Sequence, residues 1–143
     1  PPQTAAPSNP GLKATWHEFK GNKCSEIEKA PVNGTYPVED VMIPKKVKGN
    51  IGLIIKGYFN APQDDIYTFA LLSDDGSTLT IDSEQIVDND GPHGPKEIVG
   101  QKALAKGYHP MELRYFDQNG GQLKLKVTGS DGKEIPFTHL YAH

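Results

Sequence analysis

The sequence predicts an antiparallel all-β domain, a sandwich or barrel, on three observations. Its 143 residues include 15 Gly and 12 Pro, a turn-rich composition suited to many short strands. Several segments alternate apolar and polar residues with period two, the mark of a sheet with one wet face. Turn dipeptides separate them: Asp75-Gly76, Asn119-Gly120 and Asp131-Gly132, with strands every 8–15 residues or so.

In chain order, Pro1–Pro10 (PPQTAAPSNP) is uncharged and has Ala as its only apolar type. It reads as an extended linker, which leaves residues 11–143 as the domain. Such a linker implies a module of a longer protein. Lys13–Phe19 is the first strand. Lys20–Val47 carries Pro31, Asn33-Gly34, Pro37 and Pro44, so a long irregular excursion is expected there, with a short helix near Ser25–Lys29. Ile51–Ala61 sets Leu53, Ile55, Gly57 and Phe59 against Ile54, Lys56 and Tyr58. Ile66–Leu72 puts Tyr67, Phe69 and Leu71 on one face. Thr78–Asp82 and Gln85–Asp88 form a hairpin, with Ser83-Glu84 as its turn. Ile98–Leu104 is a weaker strand. Tyr108–Asp117 alternates Met111, Leu113 and Tyr115 with Glu112, Arg114 and Phe116. Gln122–Thr128 buries Leu123, Leu125 and Val127. His139–His143 closes the domain.

Charge and motifs exclude several classes. Fifteen basic residues against 18 acidic give a formal charge of −3, without the basic stripe of a nucleic-acid binder. No apolar run approaches the ~20 residues of a membrane helix. Cys24 is the single cysteine, so neither a disulfide framework nor a cysteine-based zinc site is available. Nucleophile-elbow, phosphate-loop and His-Glu-x-x-His motifs are absent. Cys24 has no motif around it and reads as an ordinary small residue.

The informative residues are acids at strand ends. Asp74-Asp75-Gly76 follows a strong strand, and Asp88-Asn89-Asp90-Gly91, with His93 close by, follows another. Clustered oxygen ligands in loops suit calcium; the same Asp-Gly runs are also common turn chemistry. A helix–loop–helix calcium loop starting at Asp88 fails, because its required glutamate position is Val99. Trp16, Tyr36, Tyr58, Tyr108 and Tyr115 could stack on sugar rings or fill a sandwich core.

Taken together, these blocks resemble the PA14 domain family. The resemblance runs from Gly11-Leu12-Lys13-Ala14-Thr15-Trp16 through Tyr67-Thr68-Phe69, Ser73-Asp74-Asp75-Gly76-Ser77-Thr78-Leu79 and Ile86-Val87-Asp88-Asn89-Asp90-Gly91. It continues through Gly107 to Asp117 and closes at Ile135-Pro136 and Leu140-Tyr141. Ser83 stands where the family often has glycine, and Thr80 where it often has an aromatic residue. The resemblance implies an antiparallel β-sandwich that is non-catalytic and binds carbohydrate. In lectin members, two adjacent aspartates joined by a cis peptide hold calcium, and calcium holds sugar hydroxyls. Asp74 and Asp75 match that pair, and Asn119 matches an asparagine that completes the site. Asp88, Asn89, His93 and Tyr115 are the expected sugar contacts.

The reading that follows is a calcium-assisted glycan-binding module. It is expected at the C-terminal end of a larger extracytoplasmic glycoside hydrolase such as a bacterial β-hexosaminidase, with that enzyme's catalytic domain as its partner. An alternative is a structural module that packs on the catalytic domain without binding sugar. That reading predicts an exposed apolar patch including Ile54 and Phe116.

Overall fold

In the computed structural model, residues 9–118, 121–136 and 140–142 are described. Among these residues, eleven strands form two antiparallel sheets, alongside one 3-10 helix: β1 Asn9–Pro10, β2 Leu12–Glu18, the helix Cys24–Lys29, β3 Val32–Val38, β4 Asn50–Ala61, β5 Asp65–Asp74, β6 Ser77–Ile81, β7 Glu84–Asn89, β8 Lys96–Leu104, β9 Gly107–Gln118, β10 Gln122–Thr128 and β11 Leu140–Ala142. The large sheet runs β1-β11-β4-β9-β6-β7, with β2 on β4 and β3 on β2; the small sheet runs β10-β5-β8. β4 is the axis of the large sheet. One edge pairs with β9 along its whole length, while β2 and β11 share the other edge, at opposite ends.

The expected strands are present, most within one or two residues of their predicted ends. The Lys20–Val47 excursion contains the expected short helix, and residues 39–49 hold no strand. It also contains β3, which its breakers concealed. Among the described residues β3 pairs only with β2, and an edge strand tolerates the missing amide of Pro37 and the bare backbone of Gly34. The β6–β7 turn lies one residue earlier than expected, at Asp82-Ser83. Both residues have positive φ, 53° and 65°, as a two-residue type I′ hairpin requires.

Alternation places the core between the sheets. Leu53, Ile55 and Phe59 of β4 face Tyr67, Phe69 and Leu71 of β5, all buried. The Phe59 ring meets Tyr67 and Phe69 edge-on, at 5.3 and 5.6 Å between centroids. A second cluster lies on the opposite face of β4 and β9, where the 3-10 segment caps the sheet. It comprises Phe19, Cys24, Ile27, Ile54 and Phe116. The apolar patch expected at Ile54 and Phe116 is therefore covered by the domain's own chain: Phe116 is 0% and Ile54 7% exposed. Among the described residues, no helix is long and apolar enough to cross a membrane.

Candidate functional site

Two strand ends from different sheets build the site. β5 of the small sheet ends at Asp74, and β9 of the large sheet ends at Gln118. The chain crosses between the sheets at Asp75-Gly76, where the Phe116 amide donates to the Gly76 carbonyl at 3.0 Å. The Asp74–Asp75 peptide is cis. Ligand oxygens of Asp74, Asp75 and Asp117 all lie within 4.8 Å of one another; Asp117 is buried and the other two are half-buried.

Backbone donors fix the Asp75 carboxylate. The His93 amide donates to Oδ1 at 3.1 Å and the Gln118 amide to Oδ2 at 3.3 Å. A carboxylate offers about four lone-pair positions, so each oxygen keeps acceptor capacity for a cation. The Tyr115 hydroxyl donates to the Asp74 carbonyl at 2.7 Å. Burial pushes that phenol well above its usual range, and the negative charges of Asp117, Asp74 and Asp75 push it further. An all-oxygen donor set carrying three carboxylates matches a hard cation such as calcium.

Behind the acids lies a buried polar net. Ser73 Oγ donates to the Asp75 carbonyl at 2.8 Å and sits 2.6 Å from Ser77 Oγ. Asn89 Nδ2 lies 3.2 Å from the Leu71 carbonyl, 3.3 Å from Ser73 Oγ and 2.8 Å from the Lys96 carbonyl. Two glycines let the backbone close in. A Cβ at Gly121 would stand 2.1 Å from the Asp74 carbonyl oxygen. A Cβ at Gly76 would stand 2.5 Å from the Phe116 ring and 2.7 Å from the Gly91 backbone.

The predicted residues separate into distinct positions. Asp74 and Asp75 lie in the acid cluster with Asp117, whereas Asn119 lies outside the described residues. Asn89 points inward and is 2% exposed, so it ties strands together. Tyr115 is 0% exposed; its ring is in the core and offers no stacking face. His93 reaches Asp75 through its amide, while its ring nitrogens face the Asn89 and Gly94 carbonyls at 2.8 and 2.7 Å. Asp88 is exposed and accepts the Asp90 amide at 3.1 Å. Asp117 was not predicted. Its signal was an acid continuing the inward set Met111, Leu113 and Tyr115 at period two. Asp90 was also missed as an anchor: its carboxylate accepts the Cys24 amide at 3.0 Å, docking the loop on the 3-10 helix.

Beside Asp117 and Gly121 opens a cavity of about 360 Å³, bounded also by Ile43, Val47, Lys48 and Ile51. It gives the acid cluster an adjoining recess of a size suited to a small ligand.

A family model described as "PA14 domain" matches residues 8–137. No curated protein gives a significant sequence match. Among solved structures, the chain is similar to a PA14 sugar-binding domain from an RTX adhesin, at TM-score 0.79 and 16% identity over 95% of this chain and 100% of that one. It is also similar to the epithelial adhesin 6 A domain from Candida glabrata in complex with Galb1-3GlcNAc, at TM-score 0.70 and 13% identity over 98% and 89% of the two chains. A third likeness is to a β-glucosidase from Kluyveromyces marxianus in complex with glucose. There the TM-score is 0.66 and the identity 17%, over 90% of this chain but 16% of that one. At these identities the likeness to each structure is one of fold.

Proposed function

Because the chain belongs to the PA14 domain family, we propose that it is a carbohydrate-binding module whose Asp74, Asp75 and Asp117 hold a calcium ion. The observation carrying this reading is the convergence of three carboxylates from two sheets to within 4.8 Å, beside a recess. A calcium ion held there would offer open coordination positions to sugar hydroxyls. The protein's own part is to orient the ligands. Backbone amides of His93 and Gln118 hold Asp75, Tyr115 holds the Asp74 carbonyl, and Ser73 holds the Asp75 carbonyl. Asn119, between Gln118 and Gly121, is proposed to complete the set. Asp88 and His93 are proposed as flanking sugar contacts.

The module is further proposed to act as the accessory part of an extracytoplasmic glycoside hydrolase, raising substrate concentration near a catalytic domain of the same polypeptide. The β-glucosidase likeness, which spans a small part of that enzyme, supports this arrangement. Thermal melting in millimolar calcium against chelator, followed by a glycan array in calcium, tests the reading. A calcium-dependent rise in melting temperature and calcium-dependent glycan binding are expected, both lost in Asp75→Asn. No calcium effect on melting, or glycan binding that persists in chelator, overturns it.

A further inference from the structure

We propose that the recess beside the acid cluster continues across the large sheet to a second sugar subsite at Trp16, so that the ligand is an oligosaccharide of two or more residues. This rests on the carbohydrate-binding reading and extends it to the length of the glycan. Glu18 of β2 pairs with Ile51 of β4, and Ile51 pairs with Asp117 of β9. Directly paired residues project from the same face of a sheet. Glu18, Ile51 and Asp117 thus form one row across three adjacent strands, spanning two interstrand spacings, about 10 Å.

The far end of this row opens on a second cavity, of about 490 Å³, lined by Trp16, Glu18, Phe19, Lys20, Lys48 and Asn50. Lys48 lines both cavities and so stands between them. Gln118 ties the two ends. Its amide donates to Asp75 Oδ2, and its side-chain Nε2 donates to the Lys20 carbonyl at 3.5 Å.

The lining chemistry suits a sugar. Trp16 is half-buried, and an indole provides an apolar platform for a ring face. The amide of Asn50, the carboxylate of Glu18 and the ammonium groups of Lys20 and Lys48 supply acceptors and donors for hydroxyls. Neither lysine has an ion-pair partner among the described residues. A monosaccharide on the calcium site leaves this second cavity empty, whereas a longer chain crosses Lys48 and reaches it.

Trp16 is the only tryptophan, so its emission reports on the second cavity directly. The probe is a glycan array of mono- to tetrasaccharides in calcium, with fluorescence titration of the bound members and their monosaccharides. Oligosaccharides are expected to bind about tenfold more tightly than their terminal monosaccharide, the affinity equivalent of one aromatic contact. They alone should shift Trp16 emission. Trp16→Ala should reduce oligosaccharide affinity to the monosaccharide value and leave monosaccharide binding intact. Asn50→Ala, at an exposed position outside the core, should lower oligosaccharide affinity in the same selective way if Trp16→Ala fails to fold. Asp75-dependent binding that is equal for both lengths, with unchanged emission, overturns the second subsite alone. Absence of Asp75-dependent binding overturns the parent reading and this proposal with it.

Discussion

The Tyr115 hydroxyl donates to the carbonyl oxygen of Asp74 at 2.7 Å, joining the end of β9 to the end of β5. One hydrogen bond therefore couples the core of the large sheet to the acid pair of the small one. Tyr115→Phe keeps the ring and leaves the Asp74 carbonyl without this donor. A loss of roughly 1–3 kcal/mol is expected, read as a lower urea midpoint with an unchanged slope. An unaltered midpoint would show that solvent replaces the hydroxyl.

Asp117 brings a third negative charge to the cluster. Asp117→Asn removes like-charge repulsion and also one of the three negative charges proposed to hold the cation. The calcium-free variant is expected to melt at or above the parent's temperature, while the calcium-induced rise disappears. In the parent that rise corresponds to roughly 1.4–2.7 kcal/mol at ten to a hundred times the dissociation constant. Calorimetry with and without chelator separates the two effects, and a calcium response retained by the variant would remove Asp117 from the site.

Gly76 and Gly121 are required for space. Gly76 is not among the residues with positive φ, so the positive backbone angle that a glycine between turn residues suggests is not the reason. Its missing side chain admits the Gly91 backbone and the Phe116 ring. Gly121→Ala would push a methyl group against the Asp74 carbonyl and the Tyr115 hydroxyl, 2.1 and 2.6 Å away. Gly121→Ala is expected to abolish the calcium response, and Gly132→Ala, with nothing within 4 Å, to preserve it. Gly132 has a φ of 81°, so a modest loss of stability accompanies that control. Paired melts with and without calcium check both variants.

Partial burial raises the Asp40 carboxyl from 3.8 to about 6, against smaller opposing effects of the Val41 amide and Lys124. Between those values the folded chain holds more proton than the unfolded chain. Stability on this account falls as pH rises from about 4 to 6. Because Asp40 is partly exposed, solvent screening keeps the contribution small. Asp40→Asn should flatten this segment of the stability profile in urea titrations at pH 4.5 and 7, and an unchanged slope would dismiss the effect.

Burial, together with the neighbouring charge of Asp90, pushes the Cys24 thiol far above its usual range. Cys24, the first residue of the 3-10 segment, is 1% exposed. Thiol reagents should label it only as fast as the segment opens. Rapid labelling at neutral pH in the absence of denaturant would show that the segment is open in the native state.

Much of the fold was legible because burial on one face writes period two into the chain, as in Leu123, Leu125 and Val127. β3 was illegible because an edge strand needs few ladder bonds and few buried residues, which let Pro37 and Gly34 into it. The acid pair was legible as a local motif. Asp117 reaches it from 42 positions later in the chain, and only the β4–β9 and β6–β9 registers bring it there. In the sequence Asn89 and Tyr115 look like ligand contacts because polar and aromatic side chains suit both sugars and cores. Only burial distinguishes those uses, and it assigns both to the interior.

β1 pairs with β11 through Asn9 with Ala142, and β11 pairs with β4 at Tyr58 and Phe59. The acid cluster sits at the opposite end of β4, where Ile51 pairs with Asp117. Eight residues of strand separate the two places, about 27 Å at the rise of an antiparallel strand. β1 and β11 thus lie at one end of β4 while the acid cluster lies at the other. Two residue pairs hold the β1–β11 ribbon and twelve hold the β4–β9 seam, so fraying of the ribbon would leave the acid cluster's own scaffold in place.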